Sequence, residues 1–336
     1  MRHTALARLA LIAATMALCA RAAQARPLAP RRPTNLPGVT TSAEPPGPFD
    51  PLGADEEALD AYGFPPRPDQ ARNPLAFERW RRALAAHPRR LAPTLQRTAV
   101  YHGPRVASAR PATFNGITSS NWSGYAADTG AKTWSNASFS TVAADFVVPA
   151  AIARTCDSAW EYSSAWVGLD GYASNDVLQA GVEADATCGS GLAQDYYTPW
   201  YEWYPLASVR ITNLTAAAGQ SFYIHVWATT PTAGHAYIQN LSLNQSVSLD
   251  FSAPPGTTLR GESAEWILES PSVNGTLATL PTYGLDYVSA ATGTTLGRNV
   301  FTPGSVGATS ITLIRNGVTY STVGLLGGGA IQFTSH

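Results

Sequence analysis

The reactive groups this sequence offers are carboxylates and one amide, set among aromatic rings. In the stretch from Val177 to Ala184, Gln179 and Glu183 alternate with Leu178, Ala180, Val182 and Ala184. Trp166 and Asp170 alternate in the same way with Ala165, Val167 and Leu169, and Glu265 and Glu269 with Ala264, Trp266 and Leu268. Trp200, Glu202 and Tyr204 share one parity of a further run. A carboxylate on an aromatic-lined face can hold and deprotonate a water molecule. An amide beside it can donate a hydrogen bond to the oxygen that turns negative as that water adds to a carbonyl. Gln179 with Glu265 would supply both parts. Residue chemistry alone leaves the pairing open, because Asp170, Glu183, Glu202 and Glu269 offer the same carboxylate.

Strands are the elements that position such groups. Successive side chains on a strand point to opposite faces, so i, i+2 and i+4 share one. Four of these runs side by side would make a concave wall of carboxylates, one amide and several rings, while Trp203 and Trp266 would fall on the apolar side and fill the core. From about residue 111 onward, short runs of Val, Ile, Thr, Tyr and Phe recur between turn signals such as Asp170-Gly171, Asn274-Gly275 and Asn316-Gly317. No long helical periodicity interrupts them. The expected fold class is all-β, a sandwich of two antiparallel sheets of the jelly-roll or lectin-like kind spanning 111–336.

The first 110 residues differ in kind. Arg2 and Arg8 precede the apolar stretch Leu9 to Ala20, and Ala23-Gln24-Ala25 fits the small-residue cleavage rule. Residues 1–25 therefore read as a secretory signal peptide, too short in its apolar part to span a membrane, and a secreted, extracellular protein is expected. Residues 26–110 carry thirteen arginines against eight acidic residues, whereas 111–336 carry five arginines and one lysine against fifteen. A basic, Pro-rich segment ahead of an acidic domain reads as a prosegment docked over the acidic cleft as an intramolecular inhibitor. It should hold one amphipathic helix over Leu75 to Ala86 and a shorter one over Ala54 to Tyr62. Acid should weaken the attraction and release the segment for cutting between about Arg105 and Thr118. The competing reading is a solvated linker or a nucleic-acid-binding arm. With Cys19 in the leader, Cys156 and Cys188 remain as one pair in an oxidising compartment, and a bridge between them would bracket Gln179.

Other chemistries lack their residues. The chain has no HExxH and no paired CxxC, so no metal site and no cofactor are expected, and His225 and His235 read as ordinary strand and turn residues. It has no G-x-S-x-G elbow, and Gly324 to Gly329 lacks the Lys-Ser/Thr of a phosphate loop. Asp128-Thr129-Gly130 matches one half of the paired loops of pepsin-like peptidases, but no second Asp-Ser/Thr-Gly exists to complete a dyad. An acidic domain argues against nucleic acid, and a monomer acting on protein or peptide substrates is expected. The rival from another class is a carbohydrate-binding sandwich or glycoside hydrolase, given the eight tryptophans after residue 110 and the available carboxylate pairs.

Five short segments occur in order: Asn121-Trp-Ser-Gly-Tyr125, Ala165-Trp-Val-Gly-Leu-Asp-Gly171, Leu178-Gln-Ala-Gly-Val182, Trp200-Tyr-Glu-Trp-Tyr-Pro205 and Ala264-Glu-Trp-Ile-Leu-Glu269. In order and spacing this set resembles the glutamic peptidases, or eqolisins, from about Ser120 to the C-terminus. The resemblance implies an acid endopeptidase, insensitive to pepstatin, with a dyad at Gln179 and Glu265. It implies that Trp166 and Asp170 line or support the substrate cleft, and that Glu202 lies behind the dyad. Glu183 departs from the family pattern, where Asp is expected. A base that works in acid implies a Glu265 pKa not raised much by its surroundings.

Overall fold

The computed structural model describes residues 31–45, 47, 49–109 and 116–336. The expected leader at 1–25 and part of the expected cutting interval lie outside the described residues. Thirteen principal strands follow residue 116. They are β1 (Trp122–Asp128), β2 (Phe139–Val147), β3 (Ser164–Leu169), β4 (Val177–Gly189), β5 (Leu192–Tyr204), β6 (Ser221–Thr230), β7 (Ala233–Asn240), β8 (Gln245–Ser252), β9 (Ser263–Glu269), β10 (Leu285–Thr295), β11 (Ala308–Arg315), β12 (Val318–Gly327) and β13 (Ala330–Ser335).

The strands form two antiparallel layers. One runs β5-β4-β3-β9-β1-β11 and carries the amide and acidic residues singled out above, with Asp170 just past the end of β3. The other runs β8-β7-β6-β2-β10-β13. At one edge β12 pairs with both β11 and β13 and joins the layers. Between them lies a single apolar core, with Val167, Leu178, Ala180, Trp203, Trp266 and Leu268 from the first layer against Val142, Phe146, Phe222, Ile224, Ile238 and Leu249 from the second. The expected sandwich is present, and Trp203 and Trp266 fill its core as their parity required. Cys156 and Cys188 are bridged. Closing a loop of this length contributes about 3 to 4 kcal/mol by restricting the unfolded chain.

Residues 31–109 wrap this sandwich on both outer faces, so for the described residues the solvated-linker reading does not hold. Helix α1 (Glu56–Ala61) starts at Asp55, whose carboxylate accepts from the Ala58 N–H at 2.8 Å. Helix α2 (Pro74–Ala85) starts at Asn73, whose side chain accepts from Ala76 N–H, with Pro74 where its missing N–H costs nothing. Their apolar faces, including Leu59, Trp80, Ala83 and Leu84, pack with Phe64 on Ala143, Tyr223, Trp227 and Tyr237, the outer face of the second layer. Besides the two helices the segment forms short strands that were not expected from its sequence. Its short strands Val39–Thr41 and Leu95–Arg97 add to β8 and to Val209–Ile211. Val100–Tyr101 pairs with Ser272–Val273, which leads the chain onto the outer face of the first layer.

Trp80 tests this seating. Its indole is fully buried and donates to the Pro65 carbonyl at 3.0 Å, with the Arg67 guanidinium 5.2 Å above the ring. Trp80→Ala should cost about 3 to 5 kcal/mol, read as a lower denaturant midpoint for the helical part of the full chain. A loss below about 1 kcal/mol, the range of an exposed site, would show that the helix is not seated there.

Candidate active site

Strand register assembles the site. Gly168 in the middle of β3 pairs with Gln179 of β4 on one side and with Glu265 of β9 on the other. Residues opposite one another in antiparallel strands share a face, so Gln179 and Glu265 flank Gly168, roughly two strand spacings or 9.5 Å apart at the backbone. Glycine is required between them: a Cβ on Gly168 would lie 2.8 Å from the Trp166 ring and 3.2 Å from Gln179 Cβ. The same row continues to Glu202 beyond Gln179 and to Ala126 beyond Glu265.

Neighbouring rows on this face build the walls. Trp166 and Trp200 both stand opposite Gly181, where a Cβ would lie 2.6 Å from Trp166 Cβ. One row further, Glu183 and Glu269 stand on either side of Ser164. Polar contacts fix these groups in place. Trp166 Nε1 donates to Glu269 at 2.9 Å, Asn121 donates to the other Glu269 oxygen at 3.2 Å, and Trp200 Nε1 donates to Ser164. Arg210 holds Glu183 through Nε and an Nη at 2.9 and 2.7 Å.

Trp166, Gln179, Glu183 and Glu202 have their polar atoms on this cleft, Glu265 shares their face by register, and Asp170 does not face it. Asp170 accepts instead from the backbone N–H groups of Arg260, Gly261 and Glu262 at 2.7, 3.1 and 2.6 Å. It therefore fixes the turn that leads into β9 and supports Glu265 from behind. Asp128 of the Asp-Thr-Gly tripeptide accepts from Gly130 N–H in a tight turn.

The cleft is filled by the chain itself. His102, fully buried, stacks on Trp200 with ring centroids 3.7 Å apart and planes 10° from parallel. Its ring nitrogens lie 3.6 Å from Glu183 and 3.4 Å from Glu269, ion-pair rather than hydrogen-bond contacts. Its backbone N–H donates to both Glu202 oxygens at 3.0 and 3.3 Å, and its carbonyl accepts from the Gln179 amide. Gly103 follows, its carbonyl accepting from Trp122 Nε1 at 3.1 Å. Glu269 is among the acids the alternation places on this face, but no role is assigned to it; Trp122 and His102 are not singled out, although Trp122 lies inside the first of the five segments. His102 carries no signal, being a lone histidine in a basic segment.

Burial governs the ionisation. Glu265 is fully buried, neither oxygen has a hydrogen-bond partner, and Gln179 Oε1 is likewise unpartnered. Burial holds the Glu265 pKa well above the usual carboxylate range; the neighbouring Ser263 hydroxyl offsets only part, and the charges of Asp170 and Glu262 add to it. This corrects the expectation of a base with a little-perturbed pKa, at least while the segment covers it. Burial also raises Glu202 and Glu269, against the opposing charge of His102. For His102, burial disfavours the charged ring, yet Glu183, Glu269 and Glu202 outweigh it and raise the pKa to about 10.

These directions set the sign of the pH response. Carboxyl groups raised by covering take up protons as the cleft closes, so acid favours the covered state at this site. That opposes the expectation that acid alone lifts the segment. Charge attraction is nonetheless present at the periphery, where Arg79 meets Asp145 at 3.0 Å and Arg31 meets Asp250 at 3.3 Å.

The same sign applies to the fold. Burial raises Asp170 and Asp286 to about 7, and Asp145 and Asp176 to about 6. A group raised on folding contributes its full stability below its unfolded pKa, about 4, and loses it as pH climbs through the folded value. Glu78, lowered to about 2 by Arg81 and Arg82, and His225, lowered to about 3 by burial, have the opposite sign, but Glu78 sits on an exposed helix face where ion pairs count for little and His225 is one group against four aspartates. The melting temperature should therefore peak near about pH 3 to 4 and fall steadily toward about pH 7, followed by calorimetry on the full chain. Collapse below pH 4 with full stability at pH 8 would contradict this.

Comparison with known proteins places the chain among relatives. Residues 120–334 match the Peptidase A4 family. Aspergillopepsin-2 of Aspergillus niger is 35% identical over 123 residues, covering 36% of this chain and 42% of that protein. Scytalidopepsin B of Scytalidium lignicola is 36% identical over 132 residues, covering 39% and 46%. The matched stretches thus span about half the length of these curated relatives or less. The crystal structure of scytalido-glutamic peptidase with a transition state analog inhibitor superposes with a TM-score of 0.54 at 27% identity, covering 65% of this chain and 98% of that one. With the family match extending over most of the chain, and the five segments lying within it in order, this protein belongs to the Peptidase A4 family, the eqolisins.

Proposed function

We propose that the chain is a secreted acid endopeptidase made as a zymogen, in which Gln179 and Glu265 hydrolyse peptide bonds without a metal or covalent intermediate. The observation that carries the reading is the row Gln179, Gly168, Glu265, with a backbone carbonyl accepting from the Gln179 amide. In that position the amide can stabilise the oxyanion that forms when water adds to the carbonyl. Glu265 accepts the proton from the attacking water and then gives it to the leaving nitrogen. Trp166, Glu183 and Glu202 shape the cleft, and Asp170 holds the backbone ahead of Glu265.

Residues 26–110 act in this reading as the prosegment. While it lies on the face, Glu265 is dry and held toward its neutral form, so the base is disabled along with substrate access. Removing the segment readmits water and lets the carboxyl ionise in acid. Three tryptophans of the face, Trp122, Trp166 and Trp200, spend their N–H groups on Gly103, Glu269 and Ser164 and are fully buried under the segment, which suits a peptide groove better than an open sugar platform.

Hydrolysis of a denatured protein substrate at acid pH, with pepstatin present, is the assay. Glu265→Gln should lower kcat by about a thousandfold or more and Gln179→Ala by about a hundred- to a thousandfold, with unfolding midpoints near the parent's. Near-full activity in either variant would remove the dyad assignment.

A further inference from the structure

The stretch from His102 to Arg105 is anchored on the cleft at each residue. His102 N–H meets Glu202, its C=O meets Gln179, the Gly103 C=O meets Trp122, the Pro104 C=O meets Asn121 at 3.0 Å, and Arg105 N–H donates to the Gly171 carbonyl at 3.0 Å. Backbone anchoring of this kind is how an extended peptide is held irrespective of its side chains. Only one carbonyl in the stretch is presented to the amide proposed to stabilise the oxyanion, that of His102. The His102–Gly103 bond thus lies where a bond to be cut would lie, and the His102 ring lies where the side chain N-terminal to that bond would lie.

The walls of that ring pocket are specific. Trp200 offers a flat face in van der Waals contact, and a cation over a Trp face is attracted to its quadrupole. Glu183 and Glu269 stand at the two ring nitrogens from opposite sides. Arg210 occupies Glu183 Oε2, leaving Oε1 buried, turned to the ring and without a hydrogen-bond partner. Both carboxylates are at least nine-tenths buried and are oriented by fixed donors, so they meet an incoming side chain without having to reorganise.

We propose that the Trp200, Glu183 and Glu269 pocket is the subsite for the residue on the N-terminal side of the cut bond, and that it selects a protonated imidazole or another planar cation. The N-terminal segment then inhibits as a substrate held in place. This rests on the dyad reading above. Cutting of a segment held in this register follows only once water reaches an ionised Glu265: the water oxygen then joins the His102 carbonyl carbon and the C–N bond to Gly103 breaks. One water proton passes through Glu265 to the Gly103 amine, and the other remains with the new carboxyl group.

The test uses enzyme obtained from the full chain by limited proteolysis of its N-terminal segment and the nonapeptide of residues 98–106, together with versions carrying His102→Arg, His102→Leu and His102→Asp. At about pH 5 a free imidazole is mostly protonated. Mass analysis should find the parent peptide cut between His102 and Gly103. The His and Arg peptides should exceed the Leu peptide at least tenfold in kcat/KM, with the Asp peptide lowest. In the Glu183→Gln and Glu269→Gln enzymes the His-to-Leu ratio should fall toward one, and Glu269→Asp should restore it in part. A wild-type His-to-Leu ratio near one, or a cut at another bond, overturns the subsite while leaving the peptidase reading standing. Failure to cut any of these peptides or a denatured protein overturns the peptidase reading instead.

Discussion

Everything in the cleft follows from backbone pairing at one glycine. Because β3 is hydrogen-bonded to β4 on one edge and to β9 on the other, Gly168 stands opposite Gln179 and Glu265 at once. Side-chain parity then sends both to the same face, and a one-residue slip in either pairing would send one of them into the apolar core. The core enforces the register: Leu178, Ala180, Ala264 and Trp266 can be buried only if Gln179 and Glu265 are not with them. Packing between the layers, distant from any reacting atom, is therefore what aligns the amide with the carboxylate.

The second determinant is dehydration. A basic segment laid on an acidic face invites an account in terms of charge attraction alone, and the peripheral pairs of Arg79 and Arg31 fit it. At the centre the balance differs. His102 brings one positive charge to Glu183, Glu202 and Glu269, while burial drives Glu202, Glu269 and the unpartnered Glu265 toward the proton-bound state. At the carboxyls solvent exclusion outweighs Coulomb attraction, because each uncompensated buried carboxylate costs more than a single imidazolium returns, whereas at His102 the several carboxylates outweigh burial. Protons and the covering segment consequently bind together rather than in competition.

Much of this was readable from the chain before folding. Alternation told which side chains share a face, and the four runs that carry the acids and the amide prove to be consecutive neighbours in one sheet. The amphipathic helix expected over Leu75 to Ala86 and the shorter one over Ala54 to Tyr62 form over Pro74–Ala85 and Glu56–Ala61. Alternation could not tell which acid faces which, since pairing between β3 and β9 links residues nearly a hundred positions apart and no local signal encodes it. Asp170 shows the limit: its parity places it on the cleft, but a turn after β3 directs its carboxylate to three backbone N–H groups. His102 shows another, because its significance comes entirely from what it rests against.

Two of the places where the N-terminal segment grips the sandwich differ in kind. Trp80, Leu59 and Phe64 bind through apolar contact with Tyr223 and Tyr237 on one layer, and His102 binds through polar contact on the other. Between them the chain is itself paired with the sandwich at Arg89–Arg90 and Leu95–Arg97, so severing it near the cleft does not loosen the aromatic grip. A nicked molecule can thus persist as two polypeptides, with the helical fragment still shielding rings that would otherwise make a sticky surface.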